Sequence, residues 1–279
     1  LQALLLFAFS TYGQSANWSA VLPAKFPTNA SGQIHGISRV SQLKFHSANP
    51  NKMYAVSARG GLFITTDGGN NWQVTPGTDF MSSARLASVC VDFTNDSIIY
   101  LGTGDHNYYY SGIGVLKSVN GGQSFTQTTL TGKLVVEMIM DPDDHNVIVA
   151  ATNTGIYKTT NAGATWTLKS ASRQFDDLKQ KTPSSRVLYA AGRDSSFFRS
   201  IDFGDNWTQI TNGIVLPAGF TNGNGVRIAV TPADTNLVYL GMVVNGGTIY
   251  KSLDGGSSFT PVKTSVPPYL TYYTNSSTS

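Results

Sequence analysis

The chain has 279 residues, enough for one or two domains with a full core, and only 13% of them are charged. Its formal net charge is +3 with no run of Lys or Arg, so composition gives no case for a nucleic-acid partner. A single cysteine, Cys90, excludes an intrachain disulfide framework, and its place in "LASVCVDF" reads as a buried strand residue.

Residues 1–13, "LQALLLFAFSTYG", form an apolar run ending in small residues, with Thr11 and Gly13 at the small positions. This reads as the remnant of a secretory signal, which places the protein outside the cell or on its surface; the alternative is a buried strand. The run is too short to cross a bilayer, and no later segment approaches that length. Residues 14–41 follow, and "NWSAVLPA" from Asn17 has the look of an outer strand that could close a ring.

From residue 42 a unit of four strands, A to D, repeats to about residue 265. In the first unit the strands are "QLKFH", "MYAVSA", "GLFITT" and "NWQVT", with turn signals between them. Strand B returns as "IIYLGTG", "VIVAATN", "VLYAAGR" and "LVYLGMV"; strand C returns as "GVLKS", "GIYKT", "FFRS" and "TIYKS". Between C and D lies a repeated loop: "TTDGGNNW", "SVNGGQSF", "TTNAGATW", "SIDFGDNW" and "SLDGGSSF". Its acid or amide falls at Asp67, Asn120, Asn161, Asp202 and Asp254, with spacings of 53, 41, 41 and 52. Periods of about 40–50 residues with four strands each predict an all-β propeller of antiparallel blades, five of them visible and part of a larger ring. Residues 266–279 carry no sixth motif.

Asp or Asn in such a loop accepts hydrogen bonds from backbone N–H groups, and glycine supplies positive φ. The aromatic residue, Trp72, Phe125, Trp166, Trp207 or Phe259, can bury its ring between sheets. Five intact copies point to a structural role, since a catalytic site is needed once. Calcium binding is the lesser alternative, weakened by Asn120 and Asn161, and no metal or cofactor is expected.

The pattern Ser/Thr-x-Asp/Asn-x-Gly-x-x-Trp/Phe resembles the Asp-box, or BNR, repeat of sialidases, family 74 glycoside hydrolases, sortilin-type receptors and photosystem assembly factors. The resemblance covers about residues 40–262 and implies a β-propeller. Because the family spans enzymes, receptors and assembly factors, it implies no single function.

Strand alternation puts the Asp-box loops and the A–B turns on one rim, and the variable B–C loops on the other, where a ligand site is expected. "DPDDHN" at 141–146 resembles a metal site but aligns with A–B turns. The second unit has the long B–C loop "GTGDHNYYYSGIG", carrying Asp105, His106, Tyr108, Tyr109 and Tyr110, a candidate platform for sugar rings. Other B–C loops contribute Arg59, Arg193 and Asp194. Aligning strand A gives a polar column of Gln42, Ser88, Glu137, Asp177 and Arg227, expected to ring the channel mouth as solvated residues. The next column, Leu43, Val89, Met138, Leu178 and Ile228, is expected in the core.

Glu137, Asp177 and Asp105 are the candidate carboxyl groups for acid–base work on a glycosidic bond. Against an enzyme, "YAVSARGG" at 54–61 carries Ala58 where family 74 enzymes have a catalytic Asp, and the "RIP" segment of sialidases is missing, "VRIA" at 226–229 being a poor echo. The four histidines give no Ser-His-Asp constellation. The sequence therefore reads as an exported binding module for a glycan or an extracellular protein, with a glycoside hydrolase as the alternative.

Overall fold

The computed structural model describes residues 39–79, 85–105, 111–216, 226–242 and 247–264. Twenty strands form five four-stranded antiparallel sheets, each of four consecutive strands. The first blade is β1 (Val40–Phe45), β2 (Met53–Ser57), β3 (Gly61–Thr65) and β4 (Gln73–Val74), followed by a single helical turn, Pro76–Asp79. The second is β5 (Leu86–Val91), β6 (Ile99–Thr103), β7 (Gly114–Ser118) and β8 (Thr126–Thr131). The third is β9 (Val135–Met140), β10 (Ile148–Thr152), β11 (Gly155–Thr159) and β12 (Thr167–Leu168). The fourth is β13 (Phe175–Gln180), β14 (Leu188–Gly192), β15 (Phe197–Ser200) and β16 (Thr208–Ile210). The fifth is β17 (Val226–Val230), β18 (Val238–Met242), β19 (Thr248–Ser252) and β20 (Thr260–Thr264). The innermost strands β1, β5, β9, β13 and β17 contact one another in that order, so the blades follow one another around an axis.

Four apolar clusters fill the four interfaces between successive blades. Val89, Met138, Leu178 and Ile228, from the apolar strand-A column, are each at most 5% exposed, as the sequence predicts, whereas Leu43 is 43% exposed because no blade precedes its own among the described residues. Phe125, Trp166, Trp207 and Phe259 each pack into the interface with the preceding blade, whereas Trp72 joins none of the four clusters. Cys90 is buried, and burial pushes its thiol up to about 12, an inert core residue.

The five Asp-box loops share one hydrogen-bond plan. The hydroxyl two residues before the acid or amide donates to it, from Thr65 (2.8 Å), Ser118 (2.9 Å), Thr159 (3.0 Å), Ser200 (2.8 Å) and Ser252 (2.7 Å). The same hydroxyl accepts from the glycine N–H two residues beyond the acid, at 2.8–3.1 Å in all five. The acid or amide oxygen accepts the N–H four residues on, at 2.8–3.0 Å. Donor and acceptor chemistry is matched across this last pair. Asp67, Asp202 and Asp254 face the donors Asn71, Asn206 and Ser258, while the amides of Asn120 and Asn161 face the hydroxyl acceptors Ser124 and Thr165.

The residue after the acid is left-handed in every box, and in two of them it is not glycine: Ala162 at φ 55° and Phe203 at φ 56°. Phe203 is fully buried between the third and fourth blades, which offsets the backbone strain. The N–H of this residue also ties each box to the A–B turn of its own blade: Gly68 to Asn51, Gly121 to Ser97, Ala162 to Asn146, Phe203 to Arg186 and Gly255 to Asn236, at 2.9–3.0 Å. Boxes and A–B turns therefore share one rim. The "DPDDHN" segment is one of these turns, with Asp141 accepting from the Asp143 N–H at 3.0 Å and paired with Arg186.

Neighbouring blades are tied through the boxes. Tyr100 and Lys117 both donate to the carbonyl of Ala162, at 3.1 and 3.0 Å, and Tyr189 donates to the carbonyl of Gly255 at 3.0 Å. Lys158 pairs with Asp205 at 2.7 Å. In the fifth blade, the matching Tyr239 and Lys251 are only half-buried, the ammonium 5.9 Å from the ring centroid.

Candidate functional site

Away from the boxes, residues of all five blades enclose a cavity of about 380 Å³ at the start of the inner strands. A shared backbone irregularity shapes its wall. In the first four blades the ladder between inner and second strand slips by one residue, so Ser41, Ala87, Val136 and Asp176 are extra residues in bulges. All four line the cavity. A bulge turns two successive side chains toward one side of the strand, which is how the residue preceding the polar column reaches the mouth. The fifth blade pairs without a slip at Val226 and Arg227.

The polar column is less solvated than the sequence suggests: Ser88, Glu137 and Asp177 are buried, Gln42 is half-buried, and Arg227 alone is exposed. The reason is that these side chains sew adjacent inner strands together. Gln42 accepts the Val89 N–H at 2.6 Å, Ser88 donates to the Val135 carbonyl at 3.1 Å, and Asp177 accepts the Ile228 N–H at 2.8 Å. Arg227 donates back to the Asp176 carbonyl at 3.0 Å. Glu137 instead reaches across the channel. It accepts from Gln42 at 2.5 Å and pairs with Lys44 at 3.0 Å and Lys179 at 3.7 Å. Lys179 also pairs with Asp177 at 2.8 Å, so one ammonium serves both candidate carboxylates.

The remaining candidates separate. Asp105 is buried at the mouth and paired with Arg39 at 2.6 Å. Arg59 is exposed and does not line the cavity. Arg193 sits behind the mouth, 3.8 Å from the buried Asp176 carboxylate. Asp194 is exposed and paired with Arg173 at 2.7 Å. His106, Tyr108, Tyr109 and Tyr110 lie outside the described residues.

The residue that sequence reasoning missed is Asp176. The residue is 2% exposed, and burial pushes its carboxyl up to about 7, against the pull of Arg227. The adjacent pair "DD" at 176–177 is the available signal, because strict alternation would send one of the two into the apolar interface. Among the described residues no group of His, Cys, Asp and Glu has the arrangement of a metal site.

A family model described as "Photosynthesis system II assembly factor YCF48" matches residues 32–187, more than half of the chain. The chain belongs to this family. Among solved structures, this YCF48-family chain is similar to an ancestral GH74 enzyme at 20% identity, over 82% of this chain and 33% of that one, with a TM-score of 0.57. It is similar to YCF48 from Cyanidioschyzon merolae at 16% identity, over 81% of this chain and 85% of that one, with a TM-score of 0.51. A GH74 xyloglucanase from Xanthomonas campestris aligns at 16% identity, over 82% and 46% of the two chains, with a TM-score of 0.49. The chain thus spans about a third of the length of the first of these enzymes, and the likeness is one of propeller fold. No curated protein matches. No helix of the described residues is long and apolar enough to cross a membrane.

Proposed function

We propose that this YCF48-family propeller is a binding module that holds a segment of a partner protein at the channel mouth. The observation that carries this is the state of the mouth carboxylates. Glu137 and Asp177 share Lys179 and are further engaged by Gln42, Lys44 and backbone N–H groups, so they serve the ring as ties. What the mouth presents to a ligand is a polar cavity with both signs of charge, suited to the mixed donors and acceptors of a peptide. Membership in a family described by an assembly factor supports a protein partner over a substrate. The apolar residues 1–13 support export, and with it a partner outside the cytoplasm.

The test is selection from a displayed random peptide library on the intact protein. Peptides recovered on the wild type are expected to bind Arg227→Ala and Lys179→Ala at least tenfold more weakly. Equal binding to all three proteins would remove the mouth from consideration.

A second reading, a glycoside hydrolase acting at the same mouth, is favoured by one observation. Asp176 carries a carboxyl raised to about 7 beside two further carboxylates, the division of roles that acid–base hydrolysis needs. It requires release of reducing ends from a soluble polysaccharide, abolished in Asp176→Asn.

A further inference from the structure

In the first three blades a glycine with positive φ opens the third strand: Gly61 (φ 90°), Gly114 (φ 106°) and Gly155 (φ 146°). In the last two blades the positive φ falls one position earlier in the turn, at Gly247 (φ 103°) before Thr248 in the fifth and at Ser195 (φ 64°) before Ser196 in the fourth. The turn there is closed by the Ser195 N–H on the Gly192 carbonyl at 3.1 Å and the Gly192 N–H on the Ser196 carbonyl at 2.8 Å. Glycine suits this position, and a side chain at positive φ costs stability.

Ser195 carries a second cost. The residue is 1% exposed and its hydroxyl has no hydrogen-bond partner. Most buried polar side chains are satisfied, and backbone strain that persists against a cheaper residue concentrates at functional positions. Both costs fall on a residue lining a second cavity, of about 390 Å³, distinct from the channel mouth. The lining beside Ser195 combines the Ser196 and Thr211 hydroxyls and the Gln209 amide with aliphatic side chains of Ile210 and Ile214. The one carboxylate among the described lining residues, Asp194, is neutralised by Arg173 at 2.7 Å and bonded to the Ser196 hydroxyl.

We infer that this cavity binds a neutral, hydroxyl-rich ring, a pyranose sugar, with the Ser195 hydroxyl as one of its polar contacts. Hydroxyl and amide groups donate and accept, as sugar hydroxyls require, and the isoleucines suit the C–H face of the ring. Among the described lining residues there is no lysine or arginine for an anionic ligand, and the Arg173 guanidinium nearby pairs with Asp194 and the Ser196 hydroxyl. The proposal is independent of the channel-mouth reading, because the two cavities share no lining residue among those described.

The experiment titrates glucose, galactose, mannose and xylose into the intact protein, followed by saturation-transfer NMR and calorimetry, with Ser195→Gly and Ser195→Ala alongside. At least one pyranose is expected to bind the wild type and to bind both variants at least tenfold more weakly. Ser195→Gly is also expected to melt about 2–4 °C higher, since glycine relieves the strain. Ser195→Ala keeps the backbone strain and so separates the hydroxyl from it. The inference is overturned if none of the four sugars binds the wild type, if binding survives in either variant, or if Ser195→Gly melts lower, which would make the hydroxyl a structural tie.

Discussion

Replacing Asp176 by asparagine is expected to raise the unfolding free energy at pH 8 by about 2–4 kcal/mol and to leave it unchanged at pH 4. The bulge in β13 places Asp176 in the wall of the mouth and leaves its carboxyl almost without solvent contact. Burial disfavours the charged form, and the carboxyl is pushed up to about 7 despite Arg227. Between its unfolded value near 3.8 and about 7, the native state holds a proton that the unfolded chain has released. Wild-type stability therefore falls as pH rises through this window and levels off above it. Asparagine keeps the shape without the charge, so the variant lacks that decline and its advantage grows from acid to alkaline pH. Urea unfolding of both proteins from pH 4 to pH 8 measures it; a variant less stable than wild type at pH 8 would show that the charged carboxylate beside Arg193 is the favoured form.

The second large effect belongs to the boxes. Ser200→Ala is expected to cost about 2–4 kcal/mol, because one buried hydroxyl makes three hydrogen bonds and its loss strands the Gly204 N–H. Asp202 adds a pH dependence. Burial works to raise its carboxyl, but hydrogen bonds from Asn206 and from Ser200 hold it down to about 2. A carboxyl held low contributes stability that is present above its unfolded value of 3.8 and is lost as pH falls toward about 2. Removing the Ser200 hydroxyl should shrink that acid-sensitive part. The control is Ser118→Ala, whose partner Asn120 does not titrate. It should lose stability in the same way with no acid-dependent component. Unfolding curves at pH 3 and pH 7 separate the two variants.

The blades were legible because a box needs fixed residue types at fixed offsets. A hydroxyl, an acid or amide, a glycine and an aromatic leave the same trace five times. In the fourth blade "TPSS", residues 182–185, forms the A–B turn, with the Ser185 N–H donating to the Thr182 carbonyl, and Asp177 pairs with Ala191. The polar column was legible as a column, but its work as inter-strand stitching was not. A list of polar residues does not say that Asp177 meets the Ile228 N–H of the next blade, 51 positions on. Asp176 was hidden for a related reason. A bulge adds a residue to one strand only, and alignment of repeats by equal spacing passes over it. Ser195 was hidden because its left-handed backbone and its unpartnered hydroxyl leave no trace in the residue types of the turn.

On the proposed function, the five boxes are internal ties and ligand is held at the opposite rim. Hydrogen–deuterium exchange of the protein with and without a peptide selected on it tests this most directly. Protection is predicted around residues 39–41, 104–105, 136–137, 176–179 and 227–228, with exchange at 65–72, 118–125, 159–166, 200–207 and 252–259 unchanged. Protection concentrated in the box segments, with the mouth unchanged, would contradict it.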